Sequence, residues 1–350
     1  MRRLFTFMLT AAWLAAGSVL AAETTTKGPH GEAATPAASV TLTPEQEAKV
    51  RDGKFTAALS WHTTSDWSAA VGNGAKDEFG RLGIEVVAET DAGFDAARQK
   101  SDIETILAKK PSVIVSLPVD PETAPEAYRP ALAAGTKLMF VDNAPKGFVH
   151  GTDYIAISSA DLVQMGAKAG KALADALGSK GKVGYIFHDA DFYVTNQRDQ
   201  SFKATVAATP GMEIAVEQGL ADPARAEDIG NAFVAQNPDL DAIYVTWAEP
   251  AELVLAALRN AGNTRTKIVT LDLSEPLALD MVKGGNVAAI VADEAYMIGV
   301  TAARAAALGL IGESVPPFLA VDAIAVTKDT VKDGWNQSLH RDPPASLGVQ

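Results

Sequence analysis

The chain contains no cysteine among its 350 residues. It therefore has no means of forming a disulfide framework and no thiol to which a lipid could be attached. An exported protein without either feature is expected to diffuse freely instead of being held at a membrane surface.

Positive charge is also in short supply. Lysine and arginine number 30, against 43 aspartate and glutamate residues, and the formal net charge is −13. A protein of this sign repels nucleic acids and anionic lipid surfaces. The composition therefore argues against nucleic acid and against an anionic lipid surface as partners, and we expect no direct membrane insertion.

The motifs of the common enzyme classes are missing. There is no Gly-x-Ser-x-Gly, no phosphate loop, and no Gly-x-Gly-x-x-Gly after the first predicted strand. Gly72-Asn73-Gly74 lies within a helical pattern, which indicates close helix packing and not a dinucleotide turn. His188-Asp189-Ala190-Asp191 is spaced too loosely for a recognisable metal site. We therefore expect no enzyme, no cofactor and no metal.

A long apolar run does occur, at the start of the chain. Arg2 and Arg3 precede apolar residues from Leu4 to Ala16, and Val19 to Ala21 has the small residues of a cleavage site. This is the pattern of a secretory signal peptide. A membrane span would need about 20 apolar residues. Cleavage near Ala21 would leave 28 basic and 43 acidic residues, a charge of −15, in the periplasm of a two-membraned bacterium.

The next segment has little structural signal. Residues 23–39 are rich in Thr, Gly, Pro and Ala, and this composition predicts a mobile leader. Thr43-Pro44-Glu45-Gln46 then has a capping threonine, a proline at the first helical position and a glutamine three residues after the cap. This predicts a short helix that ends near Arg51.

From Phe55 onwards, short apolar runs alternate with helical patterns. The predicted strands are Phe55 to Ser60, Ile84 to Ala88, Ser112 to Leu117, Lys137 to Val141, Lys182 to Phe187, Met212 to Val216, Asp241 to Thr246, Lys267 to Leu271 and Val287 to Ala292. Runs this short are typical of strands buried on both faces of a parallel sheet. The two similar series predict an α/β fold with two Rossmann-like lobes. A helix from Glu294 to Leu310 and a strand over Leu319 to Thr327 would complete one lobe or both.

Polar and aromatic residues follow these strands, where parallel sheets place their ligands. Carboxylates, amides and a guanidinium could saturate a polyhydroxylated molecule, and indole rings could pack on its C–H faces. The hydrogen-bonding candidates are Asp142, Asn143, Asn196, Arg198, Asp272 and Asp293, and the indole candidates are Trp61, Trp67 and Trp247. This combination is typical of sugar binding.

Plainer roles exist for several of these residues. An aspartate after a strand often only caps the next helix, and Trp67 has the helical phase of a core residue. Arg198 could be an exposed helix residue. Trp61 and Trp247 are harder to interpret as core residues, because each follows or ends its strand at the sheet edge where ligands bind.

From about Phe55 to Thr327 the chain resembles the type I periplasmic binding proteins, specifically the ribose-binding-like sugar receptors of ABC transporters. The resemblance rests on an ordered set of segments: Lys54 to Leu59, Ile84 to Val87, Ser116 to Asp120, Phe140 to Asn143, Val269 to Asp272 and Gly284 to Ala289. It implies two lobes with parallel sheets joined by a three-stranded hinge, with crossings near Asp161, Asp293 and Asp322. The implied divisions are a signal peptide (1–21), a leader and short helix (22–50), a first lobe (51–160 and 294–322), a second lobe (161–293 and 323–331) and a C-terminal helix and tail (332–350).

The resemblance also implies roles for single positions. Ser65 and Trp67 fall at the ligand-facing start of the first helix, and Asp142 and Asp272 fall on the acidic residues of the two lobes. Asn196 and Arg198 lie in the segment that supplies a ligand arginine. Asn143 stands where ribose receptors have arginine, and Asp293 stands where they have glutamine. Together with Trp61 and Trp247, these departures argue against ribose itself.

The expected function is capture of a sugar or polyol between the lobes by a monomeric receptor, followed by delivery to an inner-membrane ABC permease. Two alternatives share the same cleft. The closed form could signal through a membrane sensor, or the solute could be a cationic small molecule attracted by the carboxylates and indoles. A cation would be repelled by Arg198 if that residue lines the site.

Overall fold

The computed structural model of the chain describes residues 26–349, so the predicted signal peptide lies outside the described residues. The strands are β1 (Thr35–Pro36), β2 (Thr56–Trp61), β3 (Glu85–Asp91), β4 (Val113–Ser116), β5 (Lys137–Val141), β6 (Ile157–Ala160), β7 (Gly181–His188), β8 (Met212–Leu220), β9 (Ala242–Val245), β10 (Lys267–Leu271), β11 (Val287–Asp293), β12 (Phe318–Val321) and β13 (Ala323–Val326). The helices are α1 (Pro44–Asp52), α2 (Asp66–Leu82), α3 (Ala96–Leu107), α4 (Ala124–Ala133), α5 (Leu162–Leu177), α6 (Tyr193–Ala207), α7 (Ala226–Gln236), α8 (Ala248–Asn260), α9 (Glu275–Val282), α10 (Ala295–Leu310) and α11 (Val331–Leu339). Within residues 26–349, no helix combines the length and the apolar character needed to cross a membrane.

The strands form two sheets. The first has the order β1-β12-β6-β5-β4-β2-β3 and is parallel throughout, and the second has the order β13-β11-β10-β9-β7-β8, in which only the β11–β13 pair is antiparallel. We call each sheet with its packed helices a lobe: α1 to α4 and α10 belong to the first lobe, and α5 to α9 to the second. The chain passes between the lobes after β6, after β11 and between β12 and β13. The predicted α/β fold with two lobes and a three-stranded hinge is confirmed.

Buried apolar runs form the central strands, as their patterns predict. β5 and β10 have the predicted bounds, and four residues of each are fully shielded from solvent. The predicted strand over Leu319 to Thr327 is instead two strands that meet at Asp322. β12 pairs with β6 in the first sheet and β13 pairs with β11 in the second, so this short segment contributes one strand to each sheet.

The described part of the predicted leader is packed against the protein, which corrects the expectation of a mobile segment. β1 pairs in parallel with β12 of the first lobe. Lys27 exchanges two hydrogen bonds with the side chain of Gln197 on α6, at 3.0 and 2.8 Å. Thr26 is buried and donates a hydrogen bond to Asp161, which caps α5. Composition did not reveal these contacts because each needs a partner that is distant in sequence.

The C-terminal segment also contacts both lobes. α11 packs on α2 and α10, and Trp335 is fully buried there. Beyond the helix, Arg341 pairs with Asp66 in the first turn of α2. Ser346 donates a hydrogen bond to Glu275, in the first turn of α9 in the second lobe. The two ends of the described chain therefore link the lobes outside the hinge.

Glycines allow the main helices of each lobe to pack closely. A Cβ atom on Gly74 of α2 would lie 2.0 Å from the carbonyl oxygen of Tyr296 on α10. On the opposite helix, a Cβ on Gly299 would lie 1.9 Å from the carbonyl oxygen of Val71. The prediction that the Gly72-Asn73-Gly74 stretch serves close helix packing is confirmed at Gly74.

We expect Gly74→Ala to lower the free energy of unfolding by about 1–3 kcal/mol, because the contact is with backbone and cannot be relieved by a side-chain rotation. Gly80 lies on the same helix, and a Cβ there meets no atom within 4 Å. Gly80→Ala should therefore raise stability by roughly 0.5–1 kcal/mol through helix propensity. Urea denaturation of both variants measures the difference; equal effects at the two positions would contradict the close packing.

Candidate functional site

Corresponding strands in the two lobes are each followed by an aspartate with the same unusual backbone. Asp142 follows β5 and has a φ of 55°, and Asp272 follows β10 and has a φ of 65°. Each backbone N–H still donates to the neighbouring strand, to Ser158 and Val291 respectively, at 3.0 Å. Aspartate tolerates this left-handed conformation better than most residues do. Each lobe therefore holds one carboxylate at the carboxyl end of its sheet.

Arg198 reaches Asp272 from α6 of the second lobe. Its Nη1 lies 3.3 Å from Asp272 Oδ2, and the arginine is only 7% exposed. The approach of α5 to α6 depends on Gly166, because a Cβ there would lie 2.0 Å from the carbonyl oxygen of Arg198. The guanidinium Nε, although buried, has no hydrogen-bond partner among residues 26–349. One directed donor thus remains available beside the Arg198–Asp272 pair.

A third carboxylate connects the lobes. Asp293 ends β11 and is buried, and both of its oxygens lie 3.0 Å from the indole Nε1 of Trp67. Trp67 belongs to the first turn of α2 in the first lobe, so this hydrogen bond spans the cleft. Nearby, Tyr193 of α6 donates to the carbonyl oxygen of Asp142, a second contact between the lobes.

The three carboxylates interact electrostatically with each other and with Arg198. Burial raises the pKa of Asp142 to about 6, although the hydroxyl of Ser159 donates to its Oδ1 at 2.6 Å. Burial and the charges of Asp272 and Asp142 hold the pKa of Asp293 well above its ordinary value. Burial also raises the pKa of Asp272, while Arg198 opposes the shift. The site therefore holds three carboxyl groups beside one guanidinium, and burial favours the neutral form of each acid.

Aromatic rings lie at matching places in the two lobes. His62 follows β2 and makes edge contacts with Trp67 and Phe94, with ring centroids 6.2 and 5.1 Å apart. At the end of β7, His188 lies 5.0 Å from Trp247 and 5.5 Å from Phe192. Burial lowers the pKa of His62 and of His188 to about 4, so both imidazoles are neutral near pH 7. Each lobe thus brings uncharged rings to the end of the sheet that carries the acids.

Ser65, Asn143 and Asn196, which were also predicted to bind the ligand, differ in burial and in hydrogen bonding. Ser65 caps α2 and exchanges capping-box hydrogen bonds with Ser68, so its hydroxyl already has a structural role. Asn143 is 4% exposed, and its Oδ1 has no hydrogen-bond partner within the described chain. Asn196 is half-buried on α6, two residues before Arg198.

Trp61 lies apart from this group, contrary to the prediction. It is 5% exposed in the core of the first lobe, and its Nε1 donates to Glu89 of β3 at 3.0 Å. A Cβ on Gly72 of α2 would lie 3.3 Å from the same nitrogen. Trp61 is the last residue of β2, and its indole packs against α2 at Gly72.

Two further residues belong to the site but were not predicted. Tyr193 was overlooked because nothing local marks a tyrosine that reaches the other lobe. Glu249 lies in the first turn of α8, two residues after Trp247, and burial raises its pKa to about 7, helped by the charge of Asp272. The sequence signal for Glu249 was present: an acid in the first turn of a helix that follows a strand end.

The arrangement is suited to binding. Within residues 26–349, no group of three or more histidines and acids has the geometry of a metal site. Hydrogen-bonding groups from both lobes converge with rings beside them, and these groups are carboxylates, a guanidinium and amides, which suit a polar small molecule. A small molecule held there would touch both lobes.

Two lobes joined by three crossings, with a polar and aromatic site between them, form the architecture of the periplasmic binding proteins. The model of the periplasmic binding protein domain family matches residues 27–314, and the chain belongs to this family of non-enzymatic solute-binding proteins. The chain is similar to the ribose import binding protein of Salmonella typhimurium, with 25% identity over 257 residues, 73% of this chain and 84% of that protein. The D-allose-binding periplasmic protein of Escherichia coli is 28% identical over 196 residues, 54% of this chain and 62% of that protein.

Solved structures support the same fold. An ABC transporter solute binding protein from Mycobacterium smegmatis with bound glycerol has a TM-score of 0.69 and 27% identity, covering 79% of this chain and 94% of that one. Another from Agrobacterium vitis, bound with α-D-tagatopyranose, has a TM-score of 0.71 and 24% identity, covering 80% and 97%.

Proposed function

We propose that this protein is a periplasmic receptor that captures a sugar or polyol between its lobes and delivers it to an inner-membrane ABC importer. One observation carries the proposal: Asp142 of the first lobe and Arg198, Asp272 and Asp293 of the second interact within one cleft, beside Trp67. Vicinal hydroxyls both donate and accept hydrogen bonds, which matches neighbouring carboxylates and a guanidinium.

Binding and closure are coupled in this proposal. Since the polar groups come from both lobes, a solute contacts all of them only when the lobes approach. The Trp67–Asp293 hydrogen bond belongs to the same closed arrangement. Contacts made only on closure shift the equilibrium towards the closed form, and we propose that the importer recognises that form.

The known relatives support the class of solute. The similar proteins named above are a ribose import binding protein and a D-allose-binding protein, and the solved relative at 27% identity holds glycerol. All three ligands are polyhydroxylated. The predicted signal peptide supports export, and we propose that residues 1–21 direct the chain to the periplasm, where it acts as a monomer.

Paired tryptophan substitutions test the cleft. Trp67→Phe keeps an aromatic ring but removes the N–H that binds Asp293, and we expect about 10-fold weaker solute binding from the loss of this charge-assisted bond. Trp61→Phe removes an indole–carboxylate bond of the same length, 3.0 Å, outside the cleft. That variant should keep its affinity.

A thermal-shift screen over pentoses, hexoses and polyols would find the solute, because a ligand that binds only the folded protein raises its melting temperature. Isothermal titration would then compare the affinities of the two variants for that solute. Unfolding of both variants without solute serves as the stability control. Equal loss of affinity in Trp61→Phe and Trp67→Phe, or turnover of a bound sugar, would contradict the proposal.

A further inference from the structure

The cleft contains more acidic side chains than basic ones, and this difference indicates the chemistry of the solute. Arg198 is the cation beside the acids. Its ion pair is with Asp272 of its own lobe, at 3.3 Å, and the charges of Asp199 and Asp142 act on the guanidinium from further away. Asp142 and Asp293 have no lysine or arginine within ion-pair distance among residues 26–349. The half-buried Asp142 and the buried Asp293 therefore lie in the cleft region without an ion-pair partner.

The acids of the cleft also have fewer hydrogen-bond donors around them than they can accept from. Asp142 accepts from the hydroxyl of Ser159, and the two oxygens of Asp293 share the single N–H of Trp67. Next to Asp142, the buried Oδ1 of Asn143 has no donor within the described chain. An ionised carboxylate can accept about four hydrogen bonds. The protein thus supplies far fewer donors than its acceptors can use.

A hydroxyl group of the solute supplies only part of the missing donors, because it has one O–H donor and also adds lone pairs that accept. A protonated amine brings three donors, no acceptor and a positive charge. Burial of unmatched carboxylates is unfavourable, and a cation beside them offsets the cost. The raised pKa values of Asp142 and Asp293 are consistent with this deficit.

The surroundings suit a cation as well. The indole N–H of Trp67 donates to Asp293, so an indole ring lies beside this carboxylate, and the face of an indole attracts a cation at close range. Glu249, Glu252 and Asp66 add carboxylates near the starts of α8 and α2, with only Asp66 paired to an arginine among them. In their ionised forms these carboxylates raise the local concentration of positively charged solutes.

One group in the cleft needs a different partner. The buried Nε of Arg198 is a donor without an acceptor in the described chain, and it requires an oxygen from the solute. The guanidinium would repel a second cation placed against it. Arg198 already pairs with Asp272, whereas Asp142 and Asp293 have no ion pair among residues 26–349. Hydroxyl oxygen therefore belongs at Arg198, and positive charge belongs at Asp142 and Asp293.

We propose that the solute of this receptor is an amino polyol, a hydroxylated ring or chain whose protonated primary amine binds between Asp142 and Asp293 while a hydroxyl oxygen accepts from Arg198. The inference rests on the proposed function, since it concerns the solute of the same cleft.

Matched pairs of solutes test it on the full mature protein by isothermal titration. The pairs are D-glucosamine and D-glucose, D-galactosamine and D-galactose, 1-amino-1-deoxysorbitol and sorbitol, and an aminocyclitol and myo-inositol. We expect the amine of at least one pair to bind 10-fold or more tightly than its hydroxyl partner, from charge-assisted hydrogen bonds. N-acetylation of that amine, which removes its charge, should abolish the preference.

Asp293→Asn keeps the shape of the side chain and removes its charge, so it should reduce the preference for the amine to about 3-fold or less. Glu89→Gln is the matched control, because Glu89 also accepts from an indole N–H at 3.0 Å but lies outside the cleft. That variant should keep the full preference, and thermal unfolding shows whether each variant is folded.

The outcomes separate this inference from the proposed function. If neutral sugars or polyols bind and their amines bind no better, the amino polyol is excluded while the receptor function stands. A preference that survives in Asp293→Asn would overturn the assignment of the amine to this carboxylate. If no compound of either kind binds, both the solute class and the receptor function are contradicted.

Discussion

Arg198→Ala is expected to destabilise the folded protein by about 3–5 kcal/mol and to abolish solute binding. Removing one partner of a buried ion pair leaves the other charge without compensation. Arg198 is 7% exposed, and the side chain of its partner Asp272 is 15% exposed. Urea denaturation measures the first effect and isothermal titration the second.

A double variant separates the two effects. Arg198→Met with Asp272→Asn removes both charges, and asparagine tolerates the φ of 65° at position 272. Replacing a buried ion pair as a unit is often neutral in stability, so the double variant should recover most of the lost stability but none of the binding. A loss below about 1 kcal/mol in Arg198→Ala would show that the pair is not buried in solution.

Phe202→Ala is expected to cost about 3–5 kcal/mol, as for other fully buried aromatic residues. Phe202 holds α6 on the second sheet: its ring stacks on Tyr244 at 3.9 Å and on Tyr185 at 6.0 Å. Tyr244 in turn donates to Asp199, next to Arg198 on α6. Solute affinity should therefore fall together with stability.

The control for Phe202 is the same substitution at an exposed position. Phe94 is 49% exposed on the loop after β3, and Phe94→Ala should change stability by no more than about 0.5 kcal/mol. Thermal or urea unfolding compares the two variants. A cost at Phe202 as small as that at Phe94 would mean that α6 is not anchored by this ring stack.

Strand positions could be predicted well because buried parallel strands depend on local composition. The bounds of β5 and β10 match the apolar runs from Lys137 and Lys267, and the acids after both runs lie in the site. A parallel sheet brings the carboxyl ends of its strands to one edge, so the residue after a strand can be placed without knowing its neighbours.

Trp61 shows the limit of that reasoning. A residue that ends a strand can face either side of the sheet, and only the packing of α2 and β3 decides which. The described part of the leader was misjudged for a related reason: the contacts of Thr26 and Lys27 are made with residues 135 and 170 positions away. Tyr193, which reaches Asp142 in the other lobe, is a third such case.

The sequence by itself determined the α/β class, the order of the strands along the chain and the acids and rings at the strand ends, because each depends on a pattern within a few residues. Only the tertiary structure decided which of those side chains meet. The pairing of Arg198 with Asp272 depends on how α6 packs on the second sheet, and the Trp67–Asp293 bond across the cleft depends on how the two lobes approach. Neither distance is encoded in any local pattern.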